Sequence, residues 1–384
     1  MGQAPHLRTP WGSMRSVGLP HRTSHDDEED SGPAKLLLIG GTGLISSACA
    51  RLAFDQSYDL TVITRGRNQI HPSPKGARHI IVDAKKPSAL KGALERTMLG
   101  ERFDAVVQFI AYDPSQIPDD VVTFAPRTNQ YIFISTAATY QPVDRMAVLS
   151  EDSIQGNPAW DYAKKKLECE HELTMYAEAA SLPFTIVRLA HTYGPSKIPG
   201  YIGNSDHPWT LVDRMRRGAD IVVPGDGTSA WTLTHARDVA NGILGLVGND
   251  QALGKAVNVT SNEALTWETI HRTIAMAAGV DPETYAAQVV HVPSDALVAS
   301  YPSAEGSILG DKMHNKVIDT RLLKSLVPDF KPTIKFEDGI RESIAWFEAN
   351  PARQTIDSYA NAHLDRVAAI YRDALDQSSE LPGS

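Results

Sequence analysis

KLLLIGGTGLISSACARLAF, residues 35–54, is an apolar run, a glycine turn and a helical pattern in unbroken succession. Gly40, Gly41 and Gly43 fall where a strand hands over to a helix. There, free backbone N–H groups and the helix dipole accept a pyrophosphate. Gly40 suits the tight turn, and Gly43 lets the backbone approach the phosphates; Thr42, Leu44 and Ile45 belong to the same expected cofactor site. The third position of such a fingerprint governs how closely helix and strand pack. It is Ser46 here, and one small polar side chain predicts mild crowding without loss of the site.

Outward from this turn the chain keeps one rhythm. KLLLIG, DLTVITR, RHIIVDA, FDAVVQFIAY, QYIFIST and PFTIVRLA are short apolar runs separated by helical segments. Runs without polar alternation are what parallel strands covered on both faces require. The rhythm predicts an α/β fold, a doubly wound parallel Rossmann sheet over 34–194 with right-handed crossovers. After Gly194 comes PSKIPGYIGNSDHPWT, rich in proline and glycine, then shorter elements. They predict a smaller mixed α/β C-terminal substrate lobe over 195–384, some of whose segments return to the sheet. The loop from Ser196 to Trp209 is expected to close over the substrate, and the last helix, within DSYANAHLDRVAAIYRDALDQ, to pack along the surface.

The second strand indicates which dinucleotide is bound. A carboxylate at its end would hold the ribose 2′-hydroxyl of NAD, whereas arginine suits the 2′-phosphate of NADP. The strand runs into Thr64, Arg65, Gly66 and Arg67 with no acid, and a guanidinium matches phosphate geometry. The sequence thus points to NADP rather than NAD. Asp83, with Ala84 after it, ends the third run and is placed to meet the adenine edge.

WDYAKKK sets Tyr162 and Lys166 four apart on one helix face. An ammonium beside a phenol favours phenolate, and such a tyrosine can exchange a proton while hydride moves to or from a nicotinamide. The glycine turn, the IST strand end, YxxxK and RLAHTYGP, followed by VPGDG, THARDVANGI and NVTSNEALTWETI, occur in order. Together they resemble the extended short-chain dehydrogenase/reductases of the NAD-dependent epimerase/dehydratase-like superfamily, over roughly Lys35 to Phe347. The resemblance implies that Thr136 hydrogen-bonds the substrate oxygen and Tyr162 is the acid/base. It implies that Lys166 holds the nicotinamide ribose and tunes the tyrosine. Phe109, Ile110 and Ala111, with Leu189 to His191, would line the nicotinamide. A homodimer through a four-helix bundle containing the YxxxK helix is also implied.

Against the nucleotide-sugar branch of that family the chain departs at three places. Ala137 and Ala138 follow Thr136 where the 4,6-dehydratases carry an Asp-Glu pair. Trp231 stands where the sugar epimerases place a diphosphate-gripping arginine, and His191 replaces an asparagine. The expected substrate is therefore smaller or more apolar than a nucleotide sugar, in a pocket formed by Tyr112, Ala137, His191, Tyr193 and Trp231.

Composition narrows the field. A net charge of -9 argues against a general nucleic-acid binder. Two cysteines, Cys49 and Cys169, without metal-like spacing argue for a reducing compartment and a cytoplasmic protein. The first 33 residues lack an apolar segment and contain DDEED, reading as a disordered leader; no stretch is apolar enough to span a membrane. No metal is expected among the 13 histidines. CEHEL, Cys169 to Leu173, reads as helix surface, RMRRG as a solvated basic face, and His235 and Asp238 as helix cap and brace. The leading expectation is an NADP-dependent oxidoreductase. The alternatives are an epimerase with retained NAD(P), and a non-catalytic RNA-binding protein of the chloroplast stem-loop-binding type.

Overall fold

The computed structural model describes residues 32–67, 70–98, 100–143, 147–202 and 206–379. The leader expected over 1–33 lies outside these, apart from its last two residues.

Strands β1 (Lys35–Ile39), β2 (Asp59–Thr64), β3 (Arg78–Ile81), β4 (Ala105–Gln108) and β5 (Tyr131–Thr136) alternate with α1 (Leu44–Asp55), α2 (Pro87–Thr97) and α3 (Ile117–Phe124). The two-residue strand β6 (Val148–Leu149) precedes α4 (Asp161–Ala179) and β7 (Phe184–Leu189). Then come β8 (His191–Tyr193), α5 (Thr210–Arg216), β9 (Ile221–Pro224), β10 (Ala230–His235), α6 (Ala236–Gly245) and β11 (Lys255–Val259). The order β3-β2-β1-β4-β5-β7-β11 makes one seven-stranded sheet, parallel throughout. Its first six strands are the six apolar runs of the sequence. The seventh, β11, comes from the C-terminal half, and α6 packs on α1.

Leu36 to Ile39 have no solvent exposure, because helices cover both faces of β1. Each such side chain contributes roughly 1.5–3 kcal/mol of burial. That central strand ends at the glycine turn, beside the reversal in strand order where doubly wound sheets bind ligands. Register aligns the rest: Ile39 faces Gln108, and Thr136 faces Leu189, so the glycine turn, the end of β4, Thr136 and His191 share one edge of the sheet.

The smaller lobe has its own core, built on α5, α7 (Trp267–Ala277), the helix Phe336–Glu348 and the apolar face of the last helix, Ser358–Ser379. Two basic or acidic runs are not the surfaces expected from sequence. In CEHEL, Cys169, Glu170 and Leu173 are buried, because α4 lies flat against the sheet. In RMRRG, Arg214 is buried, donating to Asp220 O, Asn361 and Asp365 as it ties α5 to the last helix. His235 and Asp238 act as read: the His235 ring accepts from Arg237 N, and the Asp238 carboxylate accepts from Thr333 N and Ile334 N.

Candidate active site

Gly40 takes φ +88°, a left-handed conformation, and a Cβ there would overlap the Ile110 side chain. Glycine is required on both counts. Its N–H donates to Ile63 O at 2.9 Å, which fixes the turn to β2. At Gly43 an added Cβ would meet only Ser46 Oγ, so the approach to the backbone stays open. Ser46 is more than a tolerated substitute for glycine. Its hydroxyl accepts from Gly43 N at 2.9 Å and donates to Gly40 O at 2.7 Å, closing the turn with its own side chain. The first-turn N–H groups of Leu44 and Ile45 have no carbonyl within their helix to bond, and they form the anion-accepting end of α1. This open, strain-specified cradle fits a dinucleotide pyrophosphate.

Arg65 and Arg67 are exposed just past β2, and no side-chain partner engages either among the described residues. Asp83 and Ala84 are half-buried after β3, where Asp83 accepts from Lys85 N at 3.2 Å. An open cavity lined by Lys85, Tyr112, Asp113, Gln116, Tyr162 and Lys165 runs from this loop to the phenol of Tyr162.

Thr136 ends β5, and its Oγ1 accepts from Ala138 N at 3.2 Å, opening the short turn in which Ala137 is buried. Tyr162 stands beside it with 36% exposure, packed on Trp160 at 4.9 Å between ring centroids and on Tyr112 at 6.4 Å. Burial raises the phenol pKa, and the Thr136 hydroxyl opposes that rise. Lys166 is 1% exposed, and its Nζ donates to Ile134 O at 2.6 Å and Ala111 O at 2.9 Å. The ammonium also lies over the rings of Phe133 and Tyr112, at 4.2 and 5.1 Å. Burial brings its pKa down to about 8. Phe109 and Ala111 are buried, and Ile110 half-buried, along the same edge.

One turn beyond Lys166, Glu170 makes a pair that sequence reading missed. Its carboxylate accepts from Arg188 NH2 at 2.7 Å and from Ser135 Oγ, while Arg188 also donates to Tyr140 OH at 3.2 Å. Tyr140 in turn donates to Asn258 Oδ1 at 2.7 Å. This buried network locks α4 to β5 and β7, and so fixes where Tyr162 and Lys166 stand. The signal was present as a four-residue step, Tyr162, Lys166, Glu170, along one helix face.

The side expected to hold substrate differs from its reading. Tyr193 is 1% exposed, donates to Lys335 O and packs edge-on against Phe336. Trp231 is 2% exposed, its Nε1 donating to His314 O at 3.0 Å. Both belong to the small-lobe core, because their polar atoms are already taken by backbone carbonyls. His191 is half-buried, edge-on to Trp231 at 5.6 Å, and its Nε2 has no hydrogen-bond partner among the described residues. Leu189 is buried at the end of β7. Tyr112 borders the open cavity. Residues 203–205 of the expected closing loop lie outside the described residues. Among the described residues there is no cluster of metal-ligating side chains, and no helix is long and apolar enough to cross a membrane.

A parallel doubly wound sheet, a glycine turn at its strand-order reversal and a Thr-Tyr-Lys set on the same edge define a dinucleotide-dependent protein of the extended short-chain dehydrogenase/reductase class. The chain belongs to the NAD dependent epimerase/dehydratase family, whose model matches residues 36–260. It is 25% identical over 266 residues to the chloroplast stem-loop binding protein of 41 kDa b of Arabidopsis thaliana, spanning 66% of this chain and 66% of that one. To the UDP-glucose 4-epimerase of Corynebacterium glutamicum it is 27% identical over 263 residues, 60% of this chain and 76% of that one. A solved UDP-glucuronic acid 4-epimerase from Bacillus cereus, in complex with UDP-glucuronic acid and NAD, shares the fold. Its TM-score is 0.63 at 19% identity, covering 82% of this chain and 99% of that chain. A nicotinamide dinucleotide is the cofactor of this family, and the glycine turn suits it.

Proposed function

We propose that this protein is an NADP-dependent oxidoreductase that reduces a ketone or oxidises a secondary alcohol, on a substrate that is not a nucleotide sugar. The observation that carries the reading is the convergence of Thr136, Tyr162 and Lys166 on the edge that holds the open glycine turn. The bound dinucleotide supplies the hydride acceptor or donor. Thr136 hydrogen-bonds the reacting oxygen, and Tyr162 takes its proton during oxidation and returns it during reduction. Lys166 holds the nicotinamide ribose through its ammonium, and that positive charge favours the phenolate of Tyr162. Arg65 and Arg67 receive the 2′-phosphate, and Asp83 with Ala84 borders the adenine. Absence of an acid at the end of β2 supports NADP over NAD.

An epimerase that oxidises and re-reduces one carbon with a retained cofactor is the second reading, favoured by the likeness to the Corynebacterium epimerase. Recovery of stoichiometric NAD(P) from the denatured protein would decide for it; a cofactor that exchanges freely decides for the dehydrogenase. Salt-sensitive retention of an RNA stem-loop by protein that binds no dinucleotide would overturn both.

We further propose a cytoplasmic homodimer joined through α3 and α4. Val122, Met175 and Tyr176 leave apolar side chains exposed on those helices, at 70%, 55% and 38%. Sedimentation at micromolar concentration tests this, and a monomer would contradict it.

A further inference from the structure

The small-lobe wall gathers Lys197, Lys312 and His191 around one carboxylate, Asp311, which Lys316 already engages. Lys197 follows a tight turn in which Gly194 and Lys197 exchange backbone hydrogen bonds of 2.9 and 3.3 Å. Among the described residues its ammonium has neither a hydrogen bond nor an ion pair. Lys312 reaches the same region from the π-helical turn Ile308–Lys312, its Nζ donating to Tyr201 O at 2.8 Å and Gly200 O at 3.0 Å. His191 completes the group with an Nε2 that no protein atom satisfies. Trp231 and Trp267 back the His191 ring edge-on, at 5.6 and 6.3 Å.

Burial holds His191 neutral, and the charges of Lys197 and Lys312 push in the same direction. Lys312 lies at about 8 through burial, with Lys197 adding to the shift. Asp311, the carboxylate that opposes this, is held by Lys316 at 3.0 Å. A half-buried ammonium without an ion pair, Lys197, thus stands near a half-buried Lys312 held only by neutral carbonyls and Asp311, and near a buried imidazole nitrogen without a partner, an arrangement that an entering anion completes.

The same segment leads to the reacting oxygen. Lys316 Nζ reaches Ala137 O, next to Thr136, at 3.4 Å. Asn157 Nδ2 joins Gly310 O at 2.5 Å to Ala138 O at 3.1 Å. Trp231 and Trp267 are fixed behind the cations, their indole N–H groups donating to His314 O and Lys312 O at 3.0 Å each.

We propose that His191, Lys197 and Lys312 bind a compact anionic group of the substrate, so that the substrate is a small hydroxy or oxo acid, a carboxylate or a phosphate monoester. This rests on the oxidoreductase reading above. The anion sits between the two ammonium groups and accepts from them, while the reacting carbon faces Tyr162. A neutral analogue leaves the Lys197 charge and the His191 Nε2 without a partner, and that difference gives the selectivity.

The test uses the full chain saturated with NADPH, with tryptophan fluorescence and calorimetry as readouts and glycerate, methyl glycerate, inorganic phosphate and UDP as probes. Glycerate or phosphate should bind, methyl glycerate should not, and Lys197→Gln should weaken the anion at least tenfold with NADPH affinity unchanged. His191→Asn, a second variant, should weaken it less. Phosphate binding more tightly than glycerate with the same Lys197 dependence identifies a phosphate monoester; the reverse identifies a carboxylate. Failure of both anions, or binding indifferent to Lys197→Gln in folded protein, overturns the proposal. UDP binding more tightly than either, with the same Lys197 dependence, also overturns it and returns the site to nucleotide sugars. The two readings fail separately. NADPH binding without anion binding removes only the anion subsite, and anion binding without any dinucleotide affinity removes the oxidoreductase.

Discussion

The two walls proposed for this site are built in different ways. On the sheet edge the backbone does most of the work: Gly40 needs its positive φ, Gly43 its open flank, and α1 its free N–H groups. In the small lobe the proposed anion site would use side chains instead, half-buried lysines from a loop and a π-helical turn with His191 at the start of β8. Backbone demands leave short, position-locked motifs. Side-chain recognition depends on which residues the fold brings together, and it tolerates wide change in the chain around them.

The comparison can be broken on the catalytic side first. Tyr162→Phe removes the proton-transfer group and keeps the ring that packs on Trp160, so turnover should fall by about 10²–10⁴-fold with NADPH affinity little changed. Stopped-flow hydride transfer and equilibrium titration measure the two halves, and full activity in the variant would refute the mechanism.

Glu170→Gln next tests whether the sheet edge is held by the buried pair. It leaves Arg188 charged and uncompensated at 5% exposure, a change expected to destabilise by roughly 3–5 kcal/mol. Glu172→Gln, on the same helix outside that network, should stay within about 0.5 kcal/mol. Equal urea midpoints for the two would contradict the network's role.

Gly40→Ala is smaller and more local. The left-handed backbone alone costs an alanine about 1–2 kcal/mol, and displacement of Ile110 adds to it. Gly100→Ala, also at positive φ but with open space around it, carries the backbone cost without the collision. Cofactor affinity should therefore drop for Gly40→Ala alone.

The smallest effect is a pH dependence. Lys166 has a pKa of about 8 against an ordinary 10.5, so its ammonium form is lost as pH rises through about 8. NADPH affinity should fall across that range in the native protein and be flat in Lys166→Met. The sign for stability is opposite. Between about 8 and 10.5 the unfolded chain binds the extra proton, so this residue's contribution to stability rises with pH there.

What the sequence disclosed follows the same division. Six apolar runs became the first six strands, and the turn, Thr136, Tyr162 and Lys166 met on one edge, because periodicity and fixed spacing encode them. The seventh strand was expected only as some later segment returning to the sheet; which segment, Lys255–Val259, was not legible, since it joins after a long excursion through the small lobe. Tyr193 and Trp231 were read as pocket residues from their chemistry. Folding gave their polar atoms to Lys335 O and His314 O instead. Lys197 and Lys312 are 115 residues apart and carry no shared motif, and only the fold shows Lys312 bonding Gly200 O and Tyr201 O, a few residues past Lys197. Ser46 was read as a harmless departure, and its two hydrogen bonds across the turn are legible only in three dimensions.

Binding of NADP(H) by the glycine turn and Arg65 is the step on which the proposed function stands. Parallel fluorescence titrations of the native protein and Arg65→Ala with NADPH and NADH test it most directly. NADPH should bind at least tenfold tighter than NADH in the native protein, with that preference lost in Arg65→Ala and NADH affinity unchanged. Tighter binding of NADH by the native protein would contradict the NADP assignment, and no binding of either dinucleotide would contradict the function itself.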